Sequence, residues 1–401
     1  MRLLVVSWWM PYPPDNGTRQ RAFNLLKHLS QRHALSLFAF GEPAGPGDIE
    51  PLRALCDRVH IVPPRAVDGG RLGLEGLFSR VPRYYAQTTS PEMMAMVEAA
   101  APGHDAALAL TCGAALHLRR VIPTVPSVLD ELEVGLLREQ FLNERHPLRQ
   151  LRHGVTWWKY RRFIRSLASS FDRSTVVSDR ERQHLHAMGC DVSRIAIVPN
   201  GVEVSALEPV TRRARRLVYP GSVMYSANLD AVRFFVRDVF PIVRRSLPDL
   251  VFTVTGATEG VDIADLAAAE GVTFTGRLPE VGALIAESAA CVVPLRVGGG
   301  TRLKVLQAMA LATPVVSTSK GIEGLDVEAG RHLLVADTPD ALAAEIVRVV
   351  SDEALGARLT SQARALVEAR YEWGPIARTL EGVIEDAVDD RRSGRRRSSG
   401  V

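Results

Sequence analysis

A glycine-rich loop at residues 298–300 is the strongest chemical signal in the sequence. It follows an apolar run that predicts a buried strand, and it leads into a predicted helix. Backbone amides without side-chain bulk, at the positive end of a helix, suit a diphosphate. Arg302 and Lys304 add two cations beside the loop. The segment predicts a phosphate-binding loop; the alternative is a tight glycine turn with solvent-facing cations.

Helical spacing extends this prediction. Thr301, Lys304 and Gln307 are three residues apart, so they share one face of the predicted helix. We expect Thr301 to cap the helix, Lys304 to reach a phosphate oxygen and Gln307 to hydrogen-bond a ribose hydroxyl. Because ligands bind at the carboxyl ends of strands in open α/β sheets, we expect the loop at such an end.

Bulk properties define the class of protein. The chain has 401 residues with 46% hydrophobic residues, which favours a globular protein of two domains. A net charge of +4 suits anionic small molecules or a membrane surface and is too small to indicate nucleic acid. Four widely spaced cysteines without a CxxC pair argue against a disulfide framework or zinc site and favour a cytoplasmic location. No apolar run is long enough to span a membrane.

Short apolar runs alternate with helical patterns along nearly the whole chain, which predicts an α/β protein with doubly wound, parallel sheets. The pattern pauses near residues 200–212 and then restarts. We therefore predict domains at 1–205 and 206–372, a helix at 373–388 that crosses back to the first domain, and a disordered Arg-rich tail at 389–401. The predicted strands are 3–7, 35–40, 59–62, 106–110, 127–129, 174–177 and 195–198, then 217–219, 251–255, 272–275, 291–294, 315–318 and 333–335.

Seven motifs in a fixed order carry a family resemblance. They include PYPPDNGTRQRAFNLLKHL (11–29), IVPNGVE (197–203), PLRVGGGTRLKVLQAMA (294–310) and GIEGLDVEAGRHLLVAD (321–337). With these motifs the sequence resembles the family 4 retaining glycosyltransferases, most closely the subset with a GGGTRLK donor loop. The resemblance implies a GT-B fold, in which two Rossmann-like domains face each other across a cleft.

The resemblance also implies a set of donor-binding residues. The donor is a nucleotide-diphosphate sugar, which is a substrate, and no cofactor is implied. The diphosphate and sugar would be held by the second domain, with Gln307 on the ribose, while the first domain approaches the phosphate after its first strand. The residues concerned are Gly299, Gly300, Thr301, Arg302, Lys304 and Gln307, together with Asn16, Gly17, Gly221 and Ser222.

Two departures from the family pattern bear on the candidate site. Gln307 stands where the subset carries a glutamate, and as a neutral group it forms weaker hydrogen bonds. In VLDELEVGLLREQF (128–141), Leu132 and Glu133 occupy positions that often read His-Asn. Asp130, Glu131 and Glu133 are then the polar candidates, and we assign acceptor contact to Asp130. The alternative for Asp130 is a polar residue that ends a strand.

The expected function is retaining transfer of a sugar to an acceptor hydroxyl, in polysaccharide, envelope glycolipid or other glycoconjugate synthesis. The sequence has no DxD motif, so we expect no metal, with Arg302 and Lys304 stabilising the leaving diphosphate. The acceptor could be a glycan, a lipid-linked molecule or a small molecule. Two alternatives stay open: an inactive nucleotide-sugar-binding scaffold, and a GT-B sugar-nucleotide epimerase.

Residues 145–165, RHPLRQLRHGVTWWKYRRFIR, contain seven Lys and Arg and no acid. Trp157, Trp158, Tyr160 and Phe163 are interleaved with these cations. The segment suits peripheral contact with an anionic membrane at its inner face. The alternative is a long helix with a buried aromatic stripe and solvated arginines.

Overall fold

The computed structural model describes residues 1–42, 45–64, 82, 85, 89–144, 146–204, 214–278, 280–300 and 302–394. The chain divides into two compact units. The first contains residues 1–200 and the chain from Trp373 onward, and the second contains residues 201–372.

The first unit is built on a seven-stranded sheet in which all strand pairs are parallel. The strand order is β3-β2-β1-β4-β5-β6-β7. Along β1, Leu3 and Val5 enter one buried cluster, while Leu4 and Val6 enter the cluster on the opposite face. Both faces are covered, so the strands are continuously apolar. The strands are β1 Arg2–Ser7, β2 Ala34–Phe40, β3 Arg58–Val62, β4 Ala106–Leu110, β5 Ser127–Asp130, β6 Arg173–Val176 and β7 Ile195–Ile197.

Helices cover the two faces of this sheet. The last of them, Trp373–Arg392, packs its buried residues Ile376, Leu380 and Ile384 into the same cluster as Leu3 and Val5. The chain thus returns to the first unit. The α-helices are Gly17–Leu29, Glu50–Arg53, Pro91–Ala100, Cys112–Ala115, Gly135–Asn143, Pro147–Ser170, Asp179–Ala187 and Trp373–Arg392.

The second unit repeats the design with a six-stranded sheet, also parallel throughout, in the order β10-β9-β8-β11-β12-β13. Its strands are β8 Ala214–Pro220, β9 Val251–Thr255, β10 Val272–Phe274, β11 Ser288–Val293, β12 Val315–Ser317 and β13 Leu334–Val335. Its helices are Ser226–Phe234, which continues through a π-helical turn (Phe235–Val239) into Phe240–Ser246, then Ala264–Ala267, Gly282–Glu287, Leu303–Ala310, Pro339–Ser351 and Glu353–Arg370.

Each of the thirteen predicted strands overlaps an observed strand, and the predicted α/β class is confirmed. The predicted disorder from residue 389 is wrong at its start, because the last helix continues to Arg392. The Arg391 guanidinium donates to the Asp172 carboxylate at 2.9 Å, and Arg173 pairs with Asp390 at 2.5 Å. These ion pairs hold the end of the helix against the first unit. Residues 395–401 of the predicted tail lie outside the described residues.

Candidate functional site

The strand order of the second unit reverses between β8 and β11. β9 lies on one side of β8 and β11 on the other, so the connections leave these two strands in opposite directions. Such a switch point is where open parallel sheets bind ligands at their carboxyl ends. β8 ends at Pro220 and is followed by Gly221 and Ser222, whereas β11 ends at Val293 and leads to the glycine loop. The predicted donor residues of this unit therefore gather at one end of the sheet.

Lys304 lies at the centre of this end of the sheet. Its Nζ donates to Tyr219 Oη at 2.7 Å and to Asn228 Oδ1 at 3.0 Å. The Tyr219 hydroxyl in turn donates to Asn228 Oδ1 at 2.6 Å, and Asn228 Nδ2 donates to the Ser222 carbonyl at 2.7 Å. The ammonium group has three N–H donors. Two of them make these bonds, which fix the direction of the group, and the third is available to a ligand.

Burial tunes the charge of this group. It lowers the pKa of Lys304 to about 7, and the nearby Arg302 charge acts in the same direction. Burial also raises the pKa of Tyr219 well above its usual value, so its hydroxyl stays protonated. A cation held in a partly desolvated site interacts strongly with an arriving anion, because the local dielectric constant is low.

Two glycines allow this packing. A Cβ at Gly221 would lie 2.9 Å from Lys304 Nζ and 3.0 Å from Asn228 Nδ2. Gly298 has φ 100°, and a Cβ there would lie 2.9 Å from Ala227 Cβ. Only glycine combines this left-handed backbone with so close an approach.

Arg302 differs from the prediction that it points at phosphate. Its side chain is buried, and its guanidinium donates to the carbonyls of Gly299 and Gly298, at 2.8 Å each. Glu323 Oε2 lies 3.8 Å away. In this arrangement Arg302 holds the glycine loop from inside.

The remaining predicted residues of the loop are placed as follows. Gly299 and Gly300 follow Gly298, and Gly300 also has positive φ, at 81°. The helix begins at Leu303 with Arg302 at its N-cap, so Lys304 is in its first turn and half-buried Gln307 one turn later. Thr301, the predicted cap, lies outside the described residues.

In the first unit, Asn16 and Gly17 open the helix Gly17–Leu29. Asn16 is its N-cap, and its Oδ1 accepts a hydrogen bond from the Arg19 amide at 3.1 Å. Capping satisfies an amide that has no partner within the helix. The local fold therefore accounts for Asn16 without a ligand.

Asp130 has a structural partner, contrary to the acceptor contact we predicted for it. Arg21 donates to both of its carboxylate oxygens, at 2.7 and 2.6 Å, and the Thr175 hydroxyl donates at 2.6 Å. Both members of the ion pair are about 1% exposed. Arg21 also donates to Asn200 Oδ1 at 2.8 Å. The buried guanidinium needs this carboxylate as its counter-charge, which supports the alternative of a polar residue that ends a strand.

Of the three predicted acids, Glu131 is the one whose surroundings indicate a functional role. It lies beside a small cavity of about 10 Å³, the space of one water molecule, at the carboxyl ends of β1, β4 and β5. Its φ is 58°, and Thr111, which also lines the cavity, has φ 83°. Burial raises the pKa of Glu131 to about 7 against the opposing charge of Arg21. Strained backbone beside a carboxyl with a shifted pKa is typical of functional sites.

Each of the two units matches a known protein family. Residues 15–206 match the family described as Glycosyltransferase Family 4, and residues 214–352 match the family described as Glycosyl transferases group 1. The chain belongs to the group 1/family 4 glycosyltransferases. No curated protein matches the sequence of this glycosyltransferase.

Solved structures share the fold of this glycosyltransferase at low identity. Anabaena Alr3699/HepE, in complex with UDP and glucose, is 14% identical with a TM-score of 0.68, covering 95% of this chain and 99% of that one. Sucrose-phosphate synthase from Thermosynechococcus elongatus is 16% identical with a TM-score of 0.70, covering 96% and 99%. A mutant of TarM from S. aureus, in complex with Fondaparinux, alpha-GlcNAc-glycerol and UDP, is 11% identical with a TM-score of 0.67, covering 96% and 100%. The likeness supports the predicted GT-B fold of two Rossmann-like units.

Metal-binding clusters and membrane-spanning helices are both absent from the described part of the glycosyltransferase. No group of three or more His, Cys, Asp or Glu side chains there could hold a metal ion. Within the same residues, no helix has the length and apolar character needed to cross a membrane.

Proposed function

We propose that this glycosyltransferase moves a sugar, with retention and without a metal ion, from a nucleotide-diphosphate sugar to an acceptor hydroxyl. The observation that carries the proposal is the Lys304 ammonium, fixed by Tyr219 and Asn228 beside the glycine loop at the switch point of the second sheet. The complexes of HepE and TarM with UDP support a nucleotide donor of this kind.

Lys304 would act on the leaving group. As the bond between sugar and diphosphate breaks, negative charge grows on the phosphate oxygens. An oriented cation stabilises that charge without reorganising, because its hydrogen bonds to Tyr219 and Asn228 are already made. The backbone amides of Gly299 and Gly300 suit the same oxygens, and Gln307 suits a ribose hydroxyl. Arg302 would contribute by holding the loop in shape.

With retention, the acceptor hydroxyl attacks from the side of the leaving group. Its proton passes to the departing phosphate oxygen, so the reaction needs no pair of carboxylates of the glycosidase kind. In the first unit, Glu131 is the carboxyl best placed to hold an acceptor hydroxyl, because it borders the small cavity at the carboxyl ends of β1, β4 and β5 and Asp130 is occupied by Arg21. Gly221 and Ser222 would support the donor side.

The setting we propose is glycoconjugate synthesis: polysaccharide, envelope glycolipid or a related product. The enzyme would work in the cytoplasm, on a glycan, lipid-linked or small-molecule acceptor.

The test is release of nucleotide from a panel of UDP- and GDP-sugars by the purified chain, with EDTA in a parallel reaction. We expect turnover that EDTA leaves unchanged, and a loss of about 10²–10³-fold in kcat for Lys304→Ala. The matched control is Arg348→Ala, which removes a cation exposed on the same unit. Tight nucleotide binding without turnover would support the scaffold alternative, and loss of activity in EDTA would overturn metal independence.

A further inference from the structure

An apolar groove lies open on the first unit, between the helices Gly135–Asn143 and Pro147–Ser170. Its volume is about 560 Å³. Phe141, Leu151 and Trp158 are among the side chains that line it. Gly154 lets the two helices approach, since a Cβ there would lie 3.1 Å from the Phe141 ring.

The longer helix has two different halves. In its second half, Tyr160, Phe163, Ile164 and Leu167 are buried in the core of the unit. In its first half a separate apolar stripe faces outward, with exposed fractions of 74%, 68%, 50% and 57% for Leu148, Leu151, Val155 and Trp158. Their spacing of three, four and three residues places them on one face of the helix. The buried aromatic stripe therefore explains only the second half of the segment.

Positive charge surrounds this stripe. The helix carries six Lys and Arg and no acid: Arg149, Arg152, Lys159, Arg161, Arg162 and Arg165. The Arg162 guanidinium lies 5.2 Å from the centre of the Trp158 ring. Of the neighbouring acids, Glu144 faces His153 at 3.8 Å and Glu139 pairs with Arg180 at 3.5 Å.

We propose that this groove and its flanking cations dock the protein on an anionic lipid membrane. Exposed leucines and a tryptophan can enter the boundary between headgroups and acyl chains, while long cationic side chains reach the phosphates. A protein partner would have to supply every acid that this helix lacks, whereas an anionic membrane presents negative charge over its whole surface. The inference concerns a surface of the first unit and does not depend on glycosyl transfer.

The test is sedimentation of the full chain with vesicles of phosphatidylglycerol mixed with phosphatidylcholine, compared with phosphatidylcholine alone, and without any nucleotide sugar. We expect binding to the anionic vesicles that weakens with salt. The stripe variant, L151S with W158S, should bind at least about tenfold more weakly. The charge variant, R149Q with R152Q, should lose about fivefold per cation. Thermal unfolding of each variant checks that it is folded.

The matched control is R58Q with R119Q, which removes the same charge from exposed positions elsewhere on the unit and should keep full binding. A chain ending at Gly394 should also keep binding. The proposal is overturned if the full chain stays in the supernatant, if the control loses as much as the charge variant, or if removal of residues 395–401 abolishes binding. A self-association that is lost in L151S with W158S, without vesicle binding, would instead identify a second copy as the occupant.

Discussion

The Nζ of Lys304 donates to the hydroxyl of Tyr219 at 2.7 Å and lies 4.0 Å from the centre of the same ring. One aromatic side chain, fully buried at the end of β8, thus holds the cation by its oxygen and by its π face. This relationship converts a lysine on a mobile four-carbon stem into a fixed charge, which is what electrostatic stabilisation of a leaving group requires.

Tyr219→Phe should weaken this hold while leaving the ring in place. Lys304 would lose one of two oriented acceptors, and Asn228 would lose a donor. We expect about tenfold weaker binding of UDP or GDP, the equivalent of one charged hydrogen bond. Tyr371→Phe is the control, because its buried hydroxyl accepts from the Asp326 amide of the same unit, at 2.8 Å. Titration calorimetry measures both variants, and equal affinities would contradict the role of Tyr219.

Nucleotide binding should take up a proton at alkaline pH. With its pKa lowered to about 7 by burial, Lys304 is largely neutral at pH 8, and a diphosphate beside it favours the charged form. Calorimetry in buffers of different ionisation enthalpy should therefore show net proton uptake at pH 8 and little at pH 6. Lys304→Met should abolish the difference. Uptake that persists in this variant would assign the proton to another group.

The glycine loop should tolerate no side chain at Gly298. Gly298→Ala forces an alanine into φ 100° and places its Cβ 2.9 Å from Ala227. Gly260→Ala is a close control, because it also has positive φ, 72°, but has no atom within 4 Å of an added Cβ. We expect both to lose about 1 kcal/mol of stability from backbone strain, Gly298→Ala to lose more because of its contact with Ala227, and only Gly298→Ala to lose nucleotide affinity. Urea unfolding and calorimetry separate the two effects.

The sequence predicts those features of the site that depend on local patterning. Continuous apolar runs predict the strands, and the position of the glycine loop after β11 places Lys304 in the first turn of a helix. Its partners could not be predicted, because Tyr219 and Asn228 are 85 and 76 residues away in the chain. Only the order of β8 beside β11 brings them together.

Side-chain direction was the other unpredictable feature. Arg302 and Lys304 look equivalent as two cations after a glycine loop, but Arg302 is the N-cap residue of the helix and turns back to the loop carbonyls. Likewise, Asp130 and Glu131 are adjacent acids, and their difference depends on Arg21, which is 109 residues from Asp130 in the chain. No spacing in the sequence signals that pair.

Asp130 should prove structural. Asp130→Asn leaves the buried Arg21 guanidinium without its counter-charge, and breaking such a pair costs about 3–5 kcal/mol. Replacing both members with apolar residues, Arg21→Met with Asp130→Leu, should recover part of that loss. Arg19→Ala is the control, because it breaks an exposed pair with Asp15, worth under about 1 kcal/mol. Urea unfolding measures all three. Full stability of Asp130→Asn with lost turnover would restore the acceptor role.

The raised pKa of Glu131 should make the stability of the folded protein depend on pH. Its pKa is raised from 4.5 to about 7, so between these values the folded protein holds a proton that the unfolded chain has released. Its contribution to stability therefore falls as the pH rises through this window. Glu131→Gln removes the carboxylate, so the variant should gain more stability over the parent chain at pH 8 than at pH 5. Urea unfolding at both values measures this, with the exposed Glu50→Gln as control.

A catalytic use of Glu131 adds a second expectation to the same variant. If the carboxylate accepts a hydrogen bond from the acceptor hydroxyl, transfer should decline as the pH falls below about 7, where this group takes up its proton. Glu131→Gln should flatten that limb of the profile and raise KM for the acceptor more than for the nucleotide sugar. An unchanged acid limb, together with the predicted stability difference, would leave Glu131 as a strained carboxyl beside the sheet and remove it from the reaction.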